Sequence, residues 1–164
     1  MKFKDTPKKT NLSFLKLKDG ESATGVFRGE PHEFYEIYQQ GVVPAGTKGA
    51  SFRFRINFIT REGSSYVAKV FQNGVTVYKT LKHLNEEYEG LENVVVKVSR
   101  TGSTKDDTIY HVLPLPPKQQ PSEDGWHQIN DVPLQDLSDG EKKTIHEPAF
   151  DPAPMPDEHD EIPF

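Results

Sequence analysis

The chain has 164 residues, with 25 acidic and 20 basic side chains, no cysteine and a formal net charge of −5. The lack of cysteine excludes a disulfide framework, a thiolate metal site and a cysteine nucleophile. No apolar stretch approaches the ~20 residues of a membrane-spanning helix, and the segment after Met1 lacks the apolar run of a secretory signal. We therefore expect a soluble, cytoplasmic protein. The net charge by itself argues against a nucleic-acid partner.

Proline and charge divide the chain close to Pro117. Only three of the 13 prolines precede residue 114. Residues 1–117 carry 17 basic and 13 acidic side chains, a net charge of +4, whereas the rest of the chain carries 3 and 12, a net charge of −9. An acidic, proline-rich stretch with few apolar groups cannot offset the entropy that ordering removes. The sequence therefore predicts a basic body over 1–117, a disordered acidic linker over 118–156 and an acidic tip over 157–164.

The first half of the body has the pattern of β-strands. Residues 21–38 form one long extended segment after an Asp-Gly turn, interrupted near 29–31, with Gly25 as a candidate bulge. In residues 51–60, apolar side chains alternate with polar ones, which is the period of a strand with one buried face. Residues 65–72 follow a Gly-Ser turn and are the predicted hairpin partner.

The hydrophobic period changes after Gly74. Apolar side chains from Tyr78 to Leu91 recur every three or four residues, which predicts an amphipathic helix of about 15–17 residues. Two further strands are predicted over 94–100 and 108–113. Three strands, one helix and two strands are the element order of an OB-fold, a small five-stranded Greek-key barrel, although other small α+β domains share this order. The predicted fold class is mainly β, an OB-fold barrel with one helix between strands three and four and a disordered acidic tail.

Basic and aromatic side chains on the predicted sheet are candidates for binding an oligonucleotide. An OB-fold binds oligonucleotides or oligosaccharides across its second and third strands, where guanidinium groups can pair with phosphate and rings can stack on bases. Each side chain also has a structural alternative, since a barrel interior must be filled and charged residues often lie on a solvated edge. The candidate DNA-binding residues are Arg28, Phe34, Tyr35, Tyr38, Arg53, Arg55, Lys69, Phe71, Lys97 and Arg100.

Motifs of catalysis are missing from the sequence. The six histidines have none of the short spacings of a zinc site, and the chain contains no phosphate-binding loop, nucleophile elbow or dinucleotide fingerprint. The pair Asp106-Asp107 is interpreted as part of a turn. We therefore expect a protein that is not an enzyme and that needs neither metal nor cofactor.

The chain ends in the sequence DEHDEIPF. This ending resembles the acidic tip of bacterial single-stranded DNA-binding proteins, which close on acidic residues followed by Ile-Pro-Phe, and His159 is a departure from that motif. Phage proteins of the same functional class also combine an OB-fold body with an acidic tail. The resemblance implies that the tip binds replication, recombination or repair proteins. The matching residues are Asp157, Glu158, Asp160, Glu161, Ile162, Pro163 and Phe164.

Together with the basic body, the resemblance implies a protein that coats and protects single-stranded DNA without sequence preference. It also implies a protein that lies in the cytoplasm of a bacterial or phage-infected cell and does not associate with membrane. Whether the protein forms a homo-oligomer is left open. Two alternatives remain: an OB-fold adaptor that binds protein, and an RNA-binding OB-fold domain. The adaptor gains support if four side chains on the second and third predicted strands do not converge on one groove: Arg53, Arg55, Lys69 and Phe71.

An apolar cluster in the predicted linker has no role in this scheme. Trp126, the only tryptophan, lies close to Ile129, and Leu134 and Leu137 follow. A second docking motif, a segment that packs on the body and a chance cluster are the three alternatives.

Overall fold

The structure is a computed structural model that describes residues 12–104 and 106–138. Its strands and helices are β1 (Ser22–Ile37), β2 (Gly41–Val43), β3 (Ser51–Glu62), β4 (Ser65–Gly74), α1 (Val75–Glu87), β5 (Val96–Thr101), β6 (Ile109–Pro114) and α2 (Glu123–Asn130). The tip at 157–164, which the sequence predicts to bind partner proteins, lies outside the described residues. In the described part of the chain, neither helix has the length and apolar composition needed to cross a membrane.

The six strands form one antiparallel sheet. Neighbouring strands follow the order β4-β3-β1-β5-β6, and β2 pairs with the end of β1. If the short β2 is set aside, β1, β3 and β4 follow one another along the chain and pair as neighbours. After α1, β5 returns to pair with the start of β1. A fourth strand that lies beside the first defines a Greek key. The described residues are therefore mainly β, as the sequence predicts.

The predicted barrel of five strands is not closed. The sheet has six strands because the loop after β1 contributes β2. The path through the sheet ends at β4 and β6, which do not pair with each other among the described residues. We call the gap between these two strands the seam.

The seam stays open because another segment lies along β4. The main-chain nitrogen of Leu15 donates to the oxygen of Val70, and the nitrogen of Val70 donates to the oxygen of Ser13, both at 2.8 Å. These bonds use the main-chain groups that β6 would need for pairing at this point. Across the seam, the rings of Phe71 and Tyr110 meet with centroids 5.9 Å apart. Side chains, rather than a strand pair, therefore connect the two edges here.

The inner face of the sheet holds the main core. The apolar side chains of β3 alternate as predicted, and Phe52, Phe54, Ile56 and Phe58 are all buried. The ring of Phe27 lies among them, 4.9 Å from that of Phe58 between centroids. Helix α1 covers this face with buried apolar residues of its own.

Two local features differ from the sequence-based expectations. The register of β1 against β3 shifts between Arg28 and His32, where Gly29 has φ of +80°, and not at Gly25. At Gly25 a β-carbon would lie 2.2 Å from the main-chain oxygen of Ile59, so glycine is required there by close packing. Helix α1 is also shorter than predicted, because the chain turns at Glu89 with φ of 52° directly after it.

The first part of the predicted linker is folded. Residues 115–138, which we call the strap, contain a 3-10 turn at Pro117–Gln119 and helix α2, and they lie against the outer face of the sheet. The prediction of disorder is therefore wrong for 118–138, and 139–156 lie outside the described residues. Three prolines of the strap precede α2, at or before the start of a helical turn, where a missing N–H costs little, and Pro133 follows α2. Ser122 begins α2, and its hydroxyl accepts from the nitrogen of Gly125 at 3.3 Å.

Packing beneath the strap forms a second core. Ile129 is 1% exposed and lies in a buried cluster with Val26, Ile59 and Val95. Trp126 packs against the same cluster and is partly buried. Trp126 and Ile129 of the apolar cluster thus pack on the body, which was one of the three alternatives, whereas Leu134 is 46% exposed.

Replacing Ile129 with alanine tests how strongly the strap is bound. Ile129→Ala is expected to lower the free energy of unfolding by about 2–4 kcal/mol, because it leaves a cavity in the second core. Urea unfolding followed by the fluorescence of Trp126 measures the change. Leu113→Ala is the control, since Leu113 is 63% exposed on β6 and should change stability by no more than about 0.5 kcal/mol. Equal effects of the two substitutions would contradict a packed strap.

Candidate functional site

The ten candidate residues lie in several places rather than on one surface. This separation follows from the two faces of the sheet and from the path of the strap. The inner core contains Tyr35 and Phe71, and the outer face near the strap carries Arg28, Phe34 and Arg55. The seam is lined by Arg53 and Arg100. Three residues lie apart from these groups: Tyr38, Lys69 and Lys97.

Two of the candidate aromatic residues belong to the inner core. Phe71 is 2% exposed and Tyr35 is 8% exposed. The ring of Tyr35 packs against Phe52 with centroids 5.7 Å apart, and that of Phe71 packs against Phe27 at 5.4 Å. In this conformation neither ring offers a face to a nucleobase.

Arg55 is held between two rings on the outer face. Its guanidinium carbon lies 4.8 Å from the ring centre of Phe34 and 5.6 Å from that of Phe14, within the range of cation–π contacts. Its Nε donates to Oε1 of Gln72 at 2.8 Å, and its Nη1 donates to the main-chain oxygen of Leu137 at 3.3 Å. Arg55 therefore has a fixed orientation, and a strap carbonyl lies against it.

Asn57 is the one buried polar side chain in the described part of the chain, at 2% exposed. Its Nδ2 donates to the main-chain oxygen of Gln135 at 3.1 Å, and the nitrogen of Gln135 donates back to Oδ1 of Asn57 at 2.8 Å. The side-chain amide thus pairs with both main-chain groups of one residue, as an adjacent strand would. Leaving this amide buried without partners would cost free energy.

The side chain of Gln135 joins the strap to the segment before β1. Its Oε1 accepts from the nitrogen of Ser13 at 2.8 Å. Its Nε2 donates to the oxygen of Ser13 at 3.1 Å and to that of Ala68 at 2.7 Å. Gln135 therefore connects β3, β4 and the N-terminal segment at one point on the outer face.

Arg28 fixes α2 to the edge of the same face. Its Nη1 donates to Oδ1 of Asn130 at 2.7 Å, and its Nε donates to the main-chain oxygen of Glu92 at 2.9 Å. Its guanidinium carbon lies 5.8 Å from the ring centre of Trp126. The charge of Arg28 thus contacts the protein's own strap.

A cleft of about 470 Å³ lies at the seam, between the end of β4, the first turn of α1 and the start of β6. Arg53 and Arg100 line it, and no acidic residue lies in the first turn of α1. Nε of Arg53 is 3.2 Å from Oε1 of Glu36, and Nη1 of Arg100 donates to the main-chain oxygen of Leu17 at 2.8 Å. Guanidinium groups suit a phosphate here, because they can bind it with two parallel hydrogen bonds. Hydroxyl groups of the lining belong to Thr76, Thr80, Thr108 and Tyr110.

The remaining candidates have separate surroundings. Nζ of Lys69 donates to Oγ of Ser13 at 2.9 Å and lies 3.3 Å from a carboxylate oxygen of Glu62. Tyr38 is 78% exposed, just after β1. Lys97 is exposed on β5. These three residues are accessible to different degrees and do not form a cluster with Arg55.

Among the described residues, hydrogen bonds lower the pKa of two aspartate carboxyl groups from its ordinary value. The hydroxyl of Thr104 donates to the carboxylate of Asp107 at 2.7 Å, and the main-chain nitrogen of Thr104 donates to the same carboxylate at 2.8 Å. Both hydrogen bonds lower the pKa of Asp107. In the strap, the hydroxyl and then the main-chain nitrogen of Ser138 lower the pKa of Asp136 in the same way. The contact with Thr104 also agrees with the interpretation of Asp107 as a turn residue.

Three residues of the outer face were not among the candidates: Phe14, Asn57 and Gln135. Alternation along β3 places Asn57 on the same face as Arg55, which is the signal that could have identified it. Phe14 is near in space only because its segment lies along β4. Nothing in the composition of the acidic tail marks Gln135.

Comparisons of this chain with protein-family models, with curated protein sequences and with solved structures found no match.

Proposed function

We propose that this protein binds single-stranded DNA without sequence preference and recruits replication, recombination or repair proteins through its C-terminal tip. The observation that carries the proposal is the Greek-key path β4-β3-β1-β5-β6 with α1 between β4 and β5. This is the arrangement expected of an OB-fold, which can be partly open and which binds oligonucleotides. We therefore propose that the open sheet is an OB-fold variant.

The seam offers a cleft with two guanidinium groups to a phosphate backbone. Arg53 and Arg100 lie in one cleft, on β3 and β5. The ring of Tyr110 lines the same cleft, next to the exposed Ile109. Phosphate contacts from guanidinium groups and stacking on a nearby ring are the two interactions that sequence-tolerant binding to single strands uses.

The proposed tip function depends on the sequence of the tail. Phe164 combines an aromatic ring with a terminal carboxylate, which together suit an apolar pocket that has a basic side chain at its mouth. Pro163 reduces the conformational freedom that docking removes. Acidic residues upstream would steer the tip towards basic partner surfaces.

One observation favours the adaptor as a second candidate function. Arg53, Arg55 and Phe71 do not converge on one groove, since they lie at the seam, near the strap and in the inner core, respectively. The strap supports this candidate, because on the outer face the main chain of Gln135 is bound by the side chain of Asn57. A protein ligand could use the same main-chain hydrogen bonds.

Titrations of the full chain with labelled oligo(dT), oligo(U) and a DNA duplex test the proposal. We expect oligo(dT) to bind about tenfold or more tightly than the duplex, because unpaired bases can stack on protein rings. Its affinity should fall steeply as salt is raised, because binding releases counterions. Equal affinity for oligo(dT) and duplex would contradict the proposal, and tighter binding of oligo(U) would favour an RNA partner. No binding to any of the three would favour the adaptor.

A substitution at the seam locates the interface. Arg53→Gln should weaken oligo(dT) binding at low salt about fivefold and reduce the slope of log K against log salt by about 0.7, the loss of one phosphate contact. The matched control is Arg61→Gln, which removes an exposed charge near the other end of β3, over the ring of Tyr66 at 5.5 Å. Equal changes for both variants would rule out a specific contact at Arg53.

A further inference from the structure

Residues of the strap lie on the outer face as a bound ligand would. The main-chain N–H and C=O of Gln135 are both hydrogen-bonded to the side-chain amide of Asn57. Two residues further on, the carbonyl of Leu137 accepts from Nη1 of Arg55. Asn57 and Arg55 are two residues apart on β3, so their polar groups point to the same face.

The groups that the strap covers are those that bind nucleotides elsewhere. An asparagine amide can make two hydrogen bonds to one nucleobase, because it presents a donor and an acceptor side by side. In a single strand the Watson–Crick edge of every base presents the complementary pair, so this contact is compatible with binding without sequence preference. The main chain of Gln135 presents the complementary donor and acceptor to Asn57. Arg55, held between the rings of Phe34 and Phe14, offers a guanidinium edge that suits a base or a phosphate.

The strap has a firmly packed part and a part held mainly by polar contacts. Helix α2 is fixed by the buried Ile129 in the second core. After Pro133, Leu134 is 46% exposed, and Gln135 is held by hydrogen bonds to Ser13, Asn57 and Ala68. Leu137 is the one buried apolar side chain of 133–138. A ligand with donors and acceptors of its own can replace the hydrogen bonds of Gln135, so that the buried contacts of Leu137 are the main apolar cost of displacing 133–138.

We infer that residues 135–137 occupy a nucleobase subsite formed by Asn57 and Arg55, and that single-stranded DNA displaces residues 133–138 while α2 stays in place. This inference rests on the proposed function and adds a second contact region to the seam. Arg53 lies next but one to Arg55 on β3, so a strand bound at the seam could continue onto the outer face.

Hydrogen exchange of the full chain, with and without saturating oligo(dT), tests the displacement. Protection of the main-chain amide of Gln135 should fall on binding, because its partner Asn57 is taken by the base, whereas amides of α2 should keep their protection. Unchanged or increased protection of the Gln135 amide at saturation would overturn the proposed subsite, but it would not contradict the proposed function. Failure of oligo(dT) to bind at all would overturn the proposed function, so the two failures are distinguishable.

A matched pair of substitutions provides a second test. Gln135→Ala removes three side-chain hydrogen bonds from the displaceable part of the strap. Gln120→Ala removes three from the packed part, where the side-chain amide of Gln120 bonds to Val95 and to Leu115. Gln135→Ala should raise the affinity for oligo(dT) about fivefold, because displacement then breaks fewer bonds. Gln120→Ala should leave the affinity unchanged, and equal effects of the two variants would overturn the inference.

Discussion

Strand β3 is buried on both faces at residues 56–59, and the arrangement of the other elements follows from that constraint. Its inner face carries phenylalanines that α1 covers, as far as Phe58. Its outer face carries Asn57 and Ile59, which are also buried and therefore need a cover of their own. The strap supplies this cover through Ile129 and Gln135. Without the strap, Val26, Ile59 and Val95 would form an apolar surface of the kind that soluble monomers rarely expose.

The inner half of this arrangement could be predicted from the sequence, because it depends on local periodicity. Alternation along β3 predicted its buried phenylalanines, and the change of period after Gly74 predicted α1. The outer half could not be predicted in the same way. Its signals are short: one apolar residue, Ile59, on the otherwise polar face of β3, and apolar residues spaced by three at Trp126, Ile129 and Val132. The cluster at Trp126 and Ile129 is visible in the sequence, but nothing local indicates what it packs against.

For the candidate site, the sequence predicted on which face of the sheet a side chain lies, but not which other parts of the chain surround it. It placed Arg53 and Arg55 on one side of β3, and both do lie there. What differs between them is the distant chain that each one meets. Arg55 contacts Leu137, 82 residues later, whereas Arg53 lies by the end of β4 and the start of α1. Such contacts depend on the whole path of the chain, which periodicity does not encode.

The bonds between Gln135 and Ser13 also determine where the two terminal stretches leave the body. The stretch before Leu12 contains four lysines, and the stretch after Ser138 contains eight acidic residues. These bonds join the first described segment of the body, which follows the lysines, to the last one, which precedes the acidic residues. A change at Gln135 therefore acts at the place where the two oppositely charged stretches meet the body side by side.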